Sequence, residues 1–389
     1  MSERAVLKGI RVLDLSSVGP ASRCSSILAD YGATVIKIGP TAARGAVQIQ
    51  PPFYAYSAGR GLKRARIDLK ADQGKEAFLR LAAGADVIIE SFRPGVVGRL
   101  GIGYEDIKKV NGAIVYCSTS GYGQNGPYSK WAGHDINYLA LGGFLDCSSP
   151  RGDGGPPIPG ATVADSAAGG MQAATAILAA LVGRNADGEG TYLDVSVAEG
   201  VLSLMYLHID KYLATGSRPA PGYDVLTGRY AYYDLYPARD GKWLAVGAIE
   251  PAFFANLCKA LGCEKWIPRQ NDDDCQQEIR DDFKAAFGQR DRDDWVARLA
   301  PADTCVTAVY SVDELVEDEH FVARGAFGEA EDAEHGRFGQ VAPVFAGAAK
   351  PQGPHLVREG AATDTDELLA QAGLAEADIK RMRDAGVIA

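Results

Sequence analysis

Histidine is scarce in this chain: only five of 389 residues. Each position that carries one is therefore informative. Cysteine is present but unordered. Seven residues stand at 24, 117, 147, 258, 263, 275 and 305, an odd number with no CxxC pair. This signals neither a disulfide framework nor a zinc or other metal site, and reads as reduced thiols in a cytoplasmic protein. Positive charge is in deficit, with a formal net charge of −10. That argues against nucleic acid or an anionic membrane surface as partner, while leaving room for a local basic pocket around an anionic ligand. No run approaches the roughly 18 apolar residues of a membrane span. The opening MSERAVLKGIRVLDL lacks the apolar segment of a signal peptide. Two phosphate-binding signatures are also missing. Neither GxGxxG nor a Walker A loop occurs, and the first strand is followed by SSVGPAS (16–22).

Apolar residues make up 47% and charged residues 23%, an ordinary balance for a globular chain whose length suits two domains. Apolar runs at IRVLDL (10–15), VIKI (35–38), DVIIESF (86–92) and AIVYCS (113–118) alternate with helical spacing at 21–31 and 74–83. This predicts an α/β fold with a Rossmann-like parallel sheet covered on both faces. Ligands of such sheets bind beyond the carboxyl ends of the strands, which marks the turns after Leu15, Ile38, Phe92 and Ser118. DSAAGGMQAATAILAALVGR (165–184) reads as a core helix headed by Asp165, and TYLDVSV (191–197) as a further strand. The large domain is expected over 1–214, with a linker at 215–228. A smaller α+β domain follows over 229–325, with a hairpin turn at Arg239–Gly241 and helices near 251–262, 276–288 and 292–300. A loop-rich return and C-terminal helices (326–389) should pack back on the large domain.

The titratable groups worth weighing lie at helix starts. In GHDINYLALGG (133–143), Gly133 permits a backbone path that a side chain would obstruct. His134 there is either a capping and packing residue or a proton carrier, and Asp135 is a capping candidate. Asp165 has the same two readings. Helix N-termini offer N–H donors for a developing oxyanion. Glu250 ends LAVGAIE before Pro251, either as a plain cap or as an acid facing a cleft. His208 lies on an apolar helix and reads as a core residue. His320, His335 and His355 read as solvated.

GHDINYLALGG, VADSAAGG (163–170) and WLAVGAIEP (243–251) together resemble the α-methylacyl-CoA racemases of the family III CoA-transferase superfamily. LKGIRVLDLS, ILADYGATVIKI, ESFRPGVVGRLGIGYEDI and SGYGQNGPY extend the resemblance over nearly the whole chain. It implies an interlocked homodimer acting on acyl-CoA, with no cofactor beyond the CoA of the substrate. His134 and Asp165 fall on the two bases that remove and return the proton α to the thioester. Asp135 falls on a neighbour that orients the histidine, and Glu250 on an acid that approaches it, from the partner chain if the interlocked arrangement holds. CoA is implied at Lys37, at Ile67, Asp68, Leu69 and Lys70, at Ser91, Phe92 and Arg93, at Arg99, and at Gly133, Ile136, Asn137 and Tyr138. Two segments depart from the pattern. KIGPTAAR (37–44) lacks the usual arginine after the second strand, leaving Lys37 or Arg44 to serve. LTGRYAYY (226–233) places Arg229 and Tyr230 where small glycines are usual, which bears on the acyl pocket. Two other activities share the fold. One is CoA transfer, with Asp165 as nucleophile; transferases of this fold generally need no imidazole at position 134. The other is acyl-CoA binding without turnover.

Overall fold

The computed structural model describes residues 5–41, 52–55, 59–351, 353–359 and 361–389. Arg44 lies outside them. The apolar runs form the strands β1 (Arg11–Asp14), β2 (Thr34–Gly39), β4 (Val87–Glu90) and β5 (Val115–Ser120), with β3 (Lys63–Arg66) and β6 (Thr191–Ser196) completing the sheet. All six are parallel, in the order β3-β2-β1-β4-β5-β6. Successive residues point to opposite faces, which explains the unbroken apolar runs. Leu13, Ile36, Ile88 and Tyr116 pack on one face with helix Asp72–Ala83. Val12, Val35, Val87, Ile89 and Val115 pack on the other with helices Gly19–Asp30 and Gln172–Asp187. β3 (KRAR) escaped the pattern because it is an edge strand and three of its four residues are cationic. The sheet reverses its winding between β1 and β4, so ligand space is expected above that switch point.

The long core helix runs Ala164–Asp187 and opens as a π-helix over Ala164–Met171. Its small residues are there for close packing. A Cβ added at Gly169 would sit 2.6 Å from Pro20 Cβ, and one at Gly200 only 2.0 Å from the Ala168 carbonyl oxygen. At 24 residues and a mean hydropathy of 1.4 this helix is long and apolar enough to cross a membrane, which the sequence expectation missed. Here Ala168, Ala173, Ala174 and Ile177 are buried inside the protein.

The chain divides into two compact units. One comprises Met1–Gly142, Pro159–Tyr206 and Glu319–Ala389; the other comprises Gly143–Ile158 and Leu207–Asp318. The boundary expected at 214 lies earlier, because helix Val197–Thr215 continues into the second unit and TGSRPAPG is a loop within it. The contribution of 143–158 had no sequence signal. The second unit holds an antiparallel sheet of β7 (Tyr233–Pro237), β8 (Trp243–Gly247) and β9 (Val306–Ala308). Gly241, at φ +78°, closes the expected turn. Its core is aromatic, built from Tyr236, Phe254, Phe283, Phe287 and Trp295.

The return segment, expected as loops, forms a second small sheet of β10 (Phe327–Asp332), β11 (Gly336–Val341) and β12 (His355–Leu356). Helices Thr365–Gln371 and Glu376–Asp384 then bring Leu368, Leu369, Ile379 and Met382 into the core that contains Ile36 and Phe78. Beyond them Ile388 bridges Ile67, and the Asp68 N–H donates to the Val387 carbonyl at 2.8 Å.

Candidate active site

Two helix heads meet beyond the carboxyl edge of the large sheet. His134 occupies the cap position of helix Asp135–Leu141, with extended backbone (φ −129°, ψ 176°). Its N–H donates to Asn137 Oδ1 at 3.0 Å, one half of a capping box between His134 and Asn137, and the residue is exposed. Gly133 is obligatory: a Cβ there would lie 2.7 Å from Tyr122 Oη and 2.8 Å from Tyr138 Cε1. Tyr138 Oη donates to the Gly133 carbonyl at 2.7 Å, so this expected ligand contact instead buttresses the turn beneath His134. Burial, then the charges nearby, push the Tyr138 phenol up to about 12. Ile136 and Asn137 remain exposed on the outer side of the helix.

Asp165 was expected to cap its helix. It sits instead within the first turn, because the helix begins at Ala164 with Val163 in the cap position. The Asp165 N–H, an orphan donor of that turn, donates to Asp135 Oδ1 at 2.8 Å. Asp135 therefore serves the head of the other helix rather than its own, and its assigned contact is to Asp165, not to the imidazole. Burial raises the Asp165 carboxyl above its usual range, and the Asp135 charge adds to this; Arg23 and His134 act in the opposite sense. His134 is thus within charge range of Asp165. Gly19, at φ +77° in the turn after β1, lets the backbone pass close to Asp165, where a Cβ would stand 3.9 Å from Oδ2.

The residues expected around CoA divide into exposed and enclosed groups. Lys70, Ser91, Arg93 and Arg99 are exposed beyond β3 and β4. Phe92 packs against the core and Leu69 beside it. Ile67 is 1% exposed, so its side chain is core and not ligand surface. Asp68 is buried, with Oδ1 accepting the Lys70 N–H at 3.0 Å. Lys37 is directed inward. Its Nζ lies 2.6 Å from Asp14 Oδ2 and donates to Ser22 Oγ at 2.9 Å. Asp14 is 0% exposed and its other oxygen accepts the Ser16 N–H at 2.7 Å. A buried carboxylate of this kind takes the nearest cation. Sequence reading missed Asp14, Tyr122 and Glu90. Glu90 lies buried at the end of β4, and burial pushes its carboxyl up to about 7.

Glu250 lies in the second unit, exposed, at the cap of helix Pro251–Leu261. Arg229 is spent within the same unit, donating through Nε (2.9 Å) and Nη2 (2.6 Å) to the Asp273 carboxylate. Tyr230 stacks on Tyr232 with centroids 5.2 Å apart. Their bulk is therefore held by neighbours of the same unit. His208 lies beside Asp224, Nδ1 to Oδ2 3.7 Å. His335, expected to be solvated, stacks on Phe53 at 3.7 Å and contacts Asp332 Oδ2 at 2.9 Å. Among the described residues no cluster of three or more His, Cys, Asp and Glu is placed to hold a metal ion.

The chain belongs to CoA-transferase family III, whose sequence pattern matches residues 7–357, and is an enzyme of the CoA-transferase and racemase superfamily that the motifs pointed to. It is 34% identical to alpha-methylacyl-CoA racemase of Homo sapiens over 328 residues, 84% of this chain and 83% of that protein. It is also 34% identical to succinyl-CoA:glutarate CoA-transferase of Mus musculus over 277 residues, 69% of this chain and 62% of that protein. Among solved structures, a CaiB/BaiF family protein from Brucella suis superposes with a TM-score of 0.74 at 26% identity, covering 94% of this chain and 99% of that one.

Proposed function

We propose that this enzyme racemises or epimerises 2-methylacyl-CoA thioesters by moving the α-proton between His134 and Asp165. One observation carries the reading: an imidazole and a carboxyl group stand at two helix heads joined by the Asp135–Asp165 hydrogen bond. One group takes the proton from one face of the α-carbon while the conjugate acid of the other returns a proton to the opposite face. The enolate between these steps carries its charge on the thioester oxygen, where N–H groups of a helix start are suitable donors. The upward shift of the Asp165 carboxyl by burial and the Asp135 charge favours its use as an acid. The CoA phosphates suit Lys70, Arg93 and Arg99. No cofactor beyond the substrate's own CoA, and no metal, enters this scheme.

The same reading includes a homodimer of the interlocked type, in which Glu250 approaches His134 from the partner chain. The exposed apolar residues Leu202, Leu204, Tyr206, Leu207 and Leu213 on helix Val197–Thr215 support a covering chain. It also includes a cytoplasmic location, which the seven free cysteines suit.

The similarity to a CoA-transferase supports a second reading. There the Asp165 carboxylate attacks the acyl carbonyl and expels CoA thiolate, leaving a mixed anhydride. The thiolate then attacks the aspartyl carbonyl, releasing the donor as its carboxylate and leaving an aspartyl-CoA thioester, and an acceptor carboxylate takes CoA by the same two steps in reverse, which frees Asp165. Incubation with one epimer of a 2-methylacyl-CoA in deuterated water separates the readings. α-Deuterium incorporation with loss of stereochemical purity supports racemisation. CoA transfer to an added carboxylate without exchange refutes it, and CoA binding with neither outcome leaves a binding protein. His134→Ala should lower exchange by about 10²–10⁴-fold with CoA affinity nearly unchanged; full exchange in that variant removes His134 from the mechanism.

A further inference from the structure

Glu90 is a buried acid that the mechanism above does not use. It is 1% exposed, and among the described residues no ion pair reaches it, whereas Asp14 at the end of the neighbouring strand has Lys37. Burying such a group without a cation is costly unless hydrogen bonds compensate. Its Oε2 accepts the Phe92 N–H at 2.7 Å, and Ser118 on β5 hydrogen-bonds the same carboxyl. Thr119 Oγ1 donates to the Glu90 carbonyl oxygen at 3.1 Å. The register aligns Glu90 with Ser118 and Ser118 with Asp194, so a polar row crosses the carboxyl edge of three strands. The other titratable groups on this face are Tyr116 on β5 and Tyr192 on β6, while Cys117 packs on the opposite face and feels the Glu90 charge only through the sheet.

The Phe92 N–H is the hydrogen bond that matters. Phe92 is fixed twice, by its ring in the core and by its N–H on Glu90. The residues on either side, Ser91 and Arg93, are thereby turned outward. We propose that Glu90 is the positioning residue of the Ser91–Arg93 turn, acting through the Phe92 N–H to hold that turn ready for the CoA moiety. The inference rests on the reading that CoA lies along this edge.

Calorimetric titration of CoA alone into the full chain tests it, using wild type, Glu90→Gln and Glu90→Met. Both variants keep the side-chain volume, and only Gln keeps an acceptor. Glu90→Gln should bind within about threefold of wild type, and Glu90→Met about tenfold or more weaker, the scale of one lost buried hydrogen bond. A space-filling role predicts equal effects, so equal affinities in the two variants overturn the proposal. A wild type that does not bind CoA overturns instead the reading of this edge. If Glu90→Met does not fold, hydrogen exchange of the Phe92 amide in wild type decides. Slow exchange in the free protein, unchanged by CoA, supports a preset turn; fast exchange in the free protein overturns it.

Discussion

At the scale of single residues, charge burial at the sheet edge governs what can be changed. Asp14 depends on Lys37. Lys37→Met should destabilise the fold by about 3–5 kcal/mol, the cost of leaving a buried charge without its partner. The double change Lys37→Met with Asp14→Asn should recover much of that loss, and urea unfolding of the wild type and the two variants measures both. Glu90 follows the opposite logic. Its carboxyl is raised from 4.5 to about 7 by burial, so between those values the native state keeps a proton that the unfolded chain has released. Stability should therefore fall as pH rises through that window and level off above it. Glu90→Gln should flatten the fall, as read from denaturant midpoints between pH 5 and 8.

At the scale of elements, the two helix heads behave as one device. Asp135→Asn retains an oxygen for the Asp165 N–H and should keep most α-proton exchange. Asp135→Ala releases that N–H and should lose exchange by up to about a hundredfold, the scale of a small misplacement of a reacting group. Stopped-time deuterium incorporation measures both. The placement of His134 and Asp165 close to helix starts was legible in the sequence, from the small and polar residues that open each helix. The service of Asp135 to Asp165 was not, since that bond joins residues 30 apart and capping rules describe only neighbours. The inner strands were legible as unbroken apolar runs, because both faces are covered. β3 and the β10–β12 sheet were not, because edge and surface strands lack such runs. The inward turn of Lys37 was hidden for a similar reason: only the folded sheet sets Asp14 beside it.

At the scale of the whole molecule, the doubly wound sheet was readable from strand and helix alternation, and the family from motifs spread along the chain. The division into units was read less well. The chain passes between them four times, at 142–143, 158–159, 206–207 and 318–319, and composition marks none of these points. The fold has a consequence for the order of synthesis. All six strands of the large sheet have been synthesised once residue 196 is made. Ile36, Ile67 and Phe78 nevertheless await Leu368, Leu369, Ile379 and Ile388 to close over them. The nascent chain must carry one uncovered apolar flank through nearly half of its translation. Slow elongation or a shortage of chaperones would therefore cost this protein yield in the cell without altering a single contact in its finished form.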